Sequence, residues 1–291
     1  EMLNYKENNT GERIFADSAV HSIEEKLIYL KHLFAYDFVS LLIRKNMRVL
    51  DLGFGDGYGI SYLANNNQES MFYGVEKDEA AFETAQYKYK SDNLILKKYD
   101  GNALPFETGF FDMVVSFQVI EHVANTRLFL SEIKRVLKPG GMAFLSTPNR
   151  EYRLAPDQKP WNEFHLREYN KQMLEDELKS EFENFKIYGI AAKKEIMEIE
   201  YIRVQGARSD YLENPKKSFL SYHFNKITSA LSRYILKLIS YFLPQNKAEA
   251  HLLSCKDFFL SDTEPLPLDW MVLGWKKALD GGIHENPKGK N

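Results

Sequence analysis

The chain has 291 residues, 44% of them hydrophobic and 27% charged, with a formal net charge of -3. Those values suit one large soluble domain, or one domain with a substantial insertion, and exclude the general basic field that a nucleic-acid binder would carry. The single cysteine, Cys255, excludes an internal disulfide and a cysteine-based zinc site, and it fits a reducing cytoplasm.

The first residues, EMLNYKENNTGERIF, are polar and charged and show no signal-peptide apolar core. No run of about 18 apolar residues offers a membrane span, so a cytoplasmic protein is expected. Residues 10–45 read as helix, with Ile28, Leu30, Leu33, Phe34, Phe38, Leu41 and Leu42 at helical spacing. MRVLDLG is then a short apolar strand that runs into a glycine-rich turn. MFYGVEKD (Met71 to Asp78) predicts a second strand, AAFETAQYKYK a helix, NLILKKYD (Asn93 to Asp100) a third strand and FDMVVSFQVI (Phe111 to Ile120) a fourth. TRLFLSEIKRVLKPGG predicts an amphipathic helix stopped by Pro139-Gly140-Gly141, followed by a fifth strand, MAFLST. Beyond Pro148, EFHLREYNKQMLEDELKSEF reads as a loop and a helix, and ENFKIYGIA as a sixth strand. LDWMVLGWKK (Leu268 to Lys277) alternates like a final strand.

Strands and helices in alternation imply right-handed crossovers and a mostly parallel sheet. The fold expected is α/β, a Rossmann-like sheet of seven strands with a helical insertion before the last. Its parts are an N-terminal helical segment (1–45), a core (46–190), an insertion without sheet pattern that acts as a lid (191–265), the final strand (266–280) and a tail (281–291). A structureless loop as long as 191–265 is unexpected in a compact domain, hence the helical reading. Within it, Phe224, Ile227, Leu231, Tyr234, Leu238 and Phe242 form one helical stripe. Such a stripe suits a membrane surface, its own domain, or a second copy of the chain.

The turn after the first strand carries Gly53, Gly55 and Gly57, spaced GxGxG, behind Asp51. Dinucleotide folds cradle a pyrophosphate at such a turn, but with GxGxxG spacing, and Asp56 would repel one. A ligand bearing an ammonium and a sulfonium tolerates that acid. In open α/β sheets ligands bind beyond the carboxyl ends of the strands, and Asp51, Glu76 and Asp100 all lie at or near such ends. Asp51-Leu52-Gly53-Phe54-Gly55-Asp56-Gly57 resembles motif I of class I S-adenosylmethionine (SAM) methyltransferases. Glu76 stands 23 residues after Gly53, where an acid accepts ribose hydroxyls. DGNALPF (Asp100 to Phe106), FDMVVSFQVIEHV and EIKRVLKPGGMAFLSTPN resemble the family's later motifs, in the family's order. The resemblance implies SAM as cofactor, held by Asp51, Gly53, Phe54, Gly55, Gly57, Glu76, Lys77, Asp100, Gly101, Asn102 and Gln118. TGERIF, GYGISYLA, SFQVIEHV and WNEFHLREY further resemble bacterial surface-polysaccharide and sugar methyltransferases, which implies a small-molecule or lipid-linked glycan acceptor and no nucleic acid.

Methyl transfer to a hydroxyl needs alignment and a base. His165 in EFHLREY is the first candidate, His122 in IEHV the second, and Glu121 can bind the acceptor. The bland alternatives are a helix-capping surface histidine, a structural histidine and a helix cap. Some SAM enzymes with ExxEH at this turn hold a divalent metal; here Gln118, a weaker ligand for a hard cation, takes the first position, so no metal is expected. Trp161, Tyr152 and Tyr169 either stack on a sugar or pack the lid. The other readings that stay open are a quinone, an aromatic metabolite or a protein side chain as acceptor, and a SAM-binding protein without catalysis.

Overall fold

A computed structural model of the chain describes residues 23–213, 253–262 and 265–278. The TGERIF stretch, the stripe from Phe224 to Phe242 and the tail 281–291 lie outside them.

The described residues form one mixed sheet in the order β3-β2-β1-β4-β5-β8-β6-β7. Its first half is β1 (Arg48–Leu52), β2 (Met71–Glu76), β3 (Leu94–Lys98), β4 (Phe111–Phe117) and β5 (Leu137–Pro148), paired in parallel throughout. Helices α1 (Ile23–Ser40), α2 (Tyr58–Asn66), α3 (Glu79–Lys88) and α4 (Thr126–Val136) precede or connect these strands. The second half follows α5 (Arg150–Arg153) and α6 (Lys171–Lys179). There β6 (Asn184–Ala192), α7 (Lys194–Glu213), β7 (Phe258–Ser261) and β8 (Asp269–Trp275) place β8 antiparallel to both β5 and β6.

Strand residues divide alternately between two cores, one on each face of the sheet. Met113 and Val115 join Leu27, Leu30, Ile60 and Leu63 from α1 and α2, whereas Val114 joins Phe129, Ile133 and Leu174 from α4 and α6. Both faces are covered, which is why β4 reads as an unbroken apolar run instead of an alternating one. Helix starts are set by side chains: the Asp78 carboxylate accepts the Ala81 N–H to cap α3, and the Asn125 side-chain oxygen accepts the Leu128 N–H to cap α4.

Three expectations are corrected. The sheet has eight strands, not seven. The extra one, β7, lies inside the 191–265 stretch read as helical; four residues are too few to display a period, and β7 exists because β6 offers it an edge. Helix α4 stops at Val136, three residues before Pro139. Leu137 leaves the helix to pair with Phe111, and Pro139-Gly140-Gly141 therefore opens β5 instead of closing α4. In α1 the buried face holds Leu27, Leu30, Lys31, Ala35, Tyr36 and Val39, while Leu41 lies exposed beyond the helix end. Two of those buried residues, Lys31 and Tyr36, carry polar groups inward, and both enter the site.

Candidate functional site

Between β1 and α2 the three turn glycines adopt φ of +81° (Gly53), +59° (Gly55) and +87° (Gly57). Side chains other than glycine rarely accept that region. The reasons for the absent side chains differ along the turn. A Cβ on Gly53 would stand 2.7 Å from Val119 Cγ2, and one on Gly57 2.8 Å from Ala85 Cβ, so these two are required by the protein's own packing. A Cβ on Gly55 meets nothing within 4 Å; here the bare backbone faces open space. Phe54, expected at the cofactor, has its side chain in the core against Gly74, which leaves only its backbone for a ligand. Asp56 is also turned in and accepts from the Tyr58 N–H at 3.3 Å.

The three acids stand in different environments. Asp51 is fully buried on β1; Tyr36 Oη donates to its Oδ2 at 3.0 Å, while Oδ1 has no hydrogen-bond partner among the described residues. Burial pushes its carboxyl up to about 7, the Tyr36 hydrogen bond opposes the rise and the nearby Glu76 charge adds to it. Glu76, half-buried at the end of β2, accepts the Gly55 N–H on Oε2 at 2.8 Å and the Lys77 and Asp78 N–H groups on Oε1, each at 2.8 Å. It thus ties the glycine turn to β2. Asp100 is exposed and accepts the Asn102 N–H at 2.8 Å, around Gly101 with φ +92° beside the Lys77 side chain.

Gln118 follows β4 with φ +57°, a left-handed conformation that costs a non-glycine residue of order 1 kcal/mol or more. Its amide Nε2 donates to Ser146 Oγ and to Asp269 Oδ2, both at 3.1 Å. Asp269 in turn pairs with the buried Lys31 ammonium at 2.7 Å. Burial raises the Asp269 carboxyl, and the Lys31 charge restrains the rise. Sequence reasoning missed this group, and no local signal could have found it, since Lys31 and Asp269 lie 238 positions apart.

The histidines meet one turn further on. Ile120–His122 is a single 3-10 turn, in which Glu121 is buried and its Oε2 accepts from Thr147 Oγ1 at 3.0 Å. The Glu121 carbonyl accepts the Leu166 N–H at 2.9 Å, which stitches the loop of the 160s onto the turn. His165 is 5% exposed, and its Nδ1 lies 2.9 Å from Glu168 Oε1. Arg153 Nε reaches the same oxygen at 3.3 Å. The His122 Nδ1 is 2.9 Å from the Phe164 carbonyl, and the two imidazoles meet edge to face at 4.8 Å. Ligand-type atoms of Glu121, His122 and His165 fall within 4.8 Å of one another, a group able to share a proton or gather a cation. Tyr152 and Tyr169 are buried, so neither offers a face to a sugar, and the half-buried Trp161 lies under the Arg153 guanidinium at 5.0 Å.

Both clusters occupy one rim. Gly53 touches Val119, two residues before Glu121, and the hydroxyl of Ser116 on β4 donates to the Leu52 carbonyl at 2.6 Å. The turn and the histidines thus lie beyond the carboxyl ends of adjacent strands β1, β4 and β5, the place where open α/β sheets bind ligands.

Residues 50–145 match a family model described as a methyltransferase domain. A probable S-adenosylmethionine-dependent methyltransferase of Mycolicibacterium smegmatis is 34% identical over 173 residues, which is 59% of this chain and 63% of the relative. A ubiquinone biosynthesis O-methyltransferase of Bartonella tribocorum is 28% identical over 44% of this chain and 53% of its own length. The chain thus spans less than two thirds of either relative. Among solved structures, a SAM-dependent methyltransferase of Thermotoga maritima matches with a TM-score of 0.53 at 17% identity, covering 87% of this chain and 95% of that one. The fold is the Rossmann-like fold of class I methyltransferases, with a mixed, mostly parallel sheet of eight strands.

Proposed function

We propose that this chain is a SAM-dependent methyltransferase acting on a hydroxyl of a small-molecule or glycan acceptor, with a sugar as first choice. The observation that carries the reading is Asp51. A fully buried carboxylate with one orphaned oxygen, at the head of a turn whose Gly55 faces open space, is costly unless a cation meets it. The ammonium of SAM is such a cation. In this reading Gly53, Gly55, Gly57 and the Phe54 backbone form the cradle. Glu76 exchanges its hold on the Gly55 N–H for the ribose hydroxyls. Asp100 takes the adenine amino group with Lys77, Gly101 and Asn102 alongside, and Gln118 lies toward the sulfonium.

Bound there, the cofactor supplies an electrophilic methyl group on sulfur. The chain's own residues hold the acceptor in line and take its proton. His165 is the base, and His122 and Glu121 share acceptor contact beside it. Helix α7, which packs on α5, covers the acceptor. A cleft of about 540 Å³ beside α5 and α7, lined by Arg150, Leu154, Asn170, Gln205 and Arg208, is separate in its lining from the glycine turn and the histidines. The cluster works without a metal: Gln118, where a further carboxylate would favour a hard cation, is bonded to Ser146 and Asp269 instead. The sugar is favoured by the GYGISYLA, SFQVIEHV and WNEFHLREY stretches. The likeness to the Bartonella enzyme favours a second reading, a quinone or aromatic metabolite.

Methyl-labelled SAM offered with panels of sugars, glycolipids and aromatic diols tests this. Label in carbohydrate supports the first reading, and label only in aromatics supports the second. Calorimetry without SAM affinity overturns both.

A further inference from the structure

We propose that the cleft beside α5 and α7 is a phosphate subsite, in which Arg150 and Arg208 bind the phosphate group of a phosphorylated sugar acceptor. That the phosphate is carried by the methyl acceptor rests on the methyl-transfer reading; that the cleft takes an oxyanion rests on its lining alone.

The cleft, of about 540 Å³, is lined by the guanidiniums of Arg150 and Arg208, the amides of Asn170 and Gln205, and one carboxylate, Glu151. Clefts of roughly 300–1,000 Å³ hold small ligands, so there is room for a phosphate together with the sugar that carries it. The Arg150 side chain is half-buried, and its guanidinium has no hydrogen bond or ion pair among the described residues. Arg208 continues the inward face of α7, four residues after the buried Val204. Its Nε donates to the Arg153 carbonyl at 3.2 Å, and its Nη2 to the Glu151 and Leu154 carbonyls at 2.6 and 2.9 Å. Those bonds fix the guanidinium against the end of α5, and the N–H groups of Nη1 have no partner among the described residues. Asn170 Oδ1 accepts the Met173 N–H at 2.8 Å, which leaves its Nδ2 donors without a partner among the described residues, as is the Gln205 amide.

The lining therefore sets two positive charges against one negative charge, and Glu151 is exposed, where water screens it. Each guanidinium is a planar fork that matches two oxygens of an anion. A carboxylate satisfies one fork; a second fork and two amides call for the further oxygens of a phosphate. The walls are fixed to the rim. Asn149, directly after β5, bridges to Tyr169, and the Arg150 N–H donates to the Tyr169 carbonyl at 3.0 Å. Helix α5 and the segment through Asn170 thus leave the carboxyl end of β5 together. The same two segments hold the histidine cluster, since Arg153 reaches Glu168, two residues before Asn170, at 3.3 Å. A phosphate in the cleft anchors the acceptor at a point remote from its reacting hydroxyl, where binding energy serves orientation.

The test is calorimetry on the full chain with inorganic phosphate, glucose and a glucose phosphate, at low and at raised salt. Native protein should bind the glucose phosphate most tightly, and less tightly as salt rises. Arg150→Gln, which breaks no bond among the described residues, should weaken that binding about ten- to hundredfold. Glu151→Gln should strengthen it a few-fold, and SAM should bind both variants as it binds native protein. On the acceptor found by labelling, Arg150→Gln should raise KM for the phosphorylated form by the same factor, with kcat and the KM of the unphosphorylated form nearly unchanged. Native protein that binds SAM but neither phosphate overturns this inference alone, and so does phosphate binding that Arg150→Gln leaves unchanged. Inorganic phosphate bound as tightly as the glucose phosphate overturns the sugar as its carrier. Phosphate binding without SAM binding overturns the methyltransferase reading and leaves the subsite standing.

Discussion

The glycine turn and the histidine cluster, proposed as the cofactor end and the acceptor end of the rim, are built by opposite means. The glycine turn is a local device: its shape comes from three positive φ values within five residues and from the Gly55 N–H caught by Glu76. The histidine cluster is assembled at a distance. It draws Glu121 and His122 from the turn after β4, Thr147 from β5, Arg153 from α5, and His165 and Glu168 from the following loop. In the proposed reading the first offers a ligand bare peptide beside the buried Asp51 carboxylate, and the second offers buried charged side chains. Damage to the first should therefore be read as lost binding and strain, and damage to the second as lost chemistry.

The largest separation is expected from His165→Ala. Removing a general base should cost roughly 10²- to 10⁴-fold in kcat while SAM affinity stays within a few-fold, read by single-turnover methylation and calorimetry. An equal loss in both would erase the distinction between the two ends.

Next come the glycines. Gly53→Ala drives a Cβ to 2.7 Å from Val119 in a left-handed backbone, so a loss of about 2–4 kcal/mol in denaturant unfolding is expected, with weaker SAM binding. Gly55→Ala carries only the left-handed backbone term, about 1–2 kcal/mol, because its Cβ would meet open space. Equal losses would show that Gly55 also abuts protein.

A third measurement concerns Asp51. Its folded carboxyl is raised to about 7 from 3.8, so without ligand the proton it binds stabilises the fold. That contribution is present below pH 3.8 and is lost as pH rises through about 7. A ligand cation prefers the ionised form, so SAM affinity should rise up to about tenfold per pH unit between pH 5 and 7, and then level. Asp51→Asn should flatten the slope. A flat native profile would mean that the cation does not face Asp51.

The smallest effect is expected from a chelator, which should leave methylation unchanged, since the cluster is read as proton chemistry. Loss of activity restored by a divalent ion would recast Glu121, His122 and His165 as ligands.

Much of the cofactor end was legible in the sequence. Apolar runs bounded by turns located the parallel strands, and the GxGxG spacing with acids at strand ends located the turn. The sequence could not tell which glycines serve packing and which face open space; that needed Val119 and Ala85 in place. Glu168 stands in EFHLREY in plain view, three residues after His165, yet nothing in the spacing says that both side chains turn inward. The buried aromatics show the same limit, because the spacing of Tyr152 and Tyr169 left stacking on a ligand open beside packing.

The sequence by itself determined the alternation of strand and helix, the places of the parallel strands along the chain and the backbone chemistry of the glycine turn. These depend on residues near one another along the chain, where hydrophobic period and φ preference act directly. Only the tertiary structure decided that Tyr36 meets Asp51, that Lys31 and Gln118 converge on Asp269, that Arg153 and His165 share Glu168, and that β7 completes the sheet. Most of those contacts join distant elements. Each brings a polar side chain to a buried carboxylate, and a buried charge is settled by whichever partner the packing brings within reach, which no local pattern records.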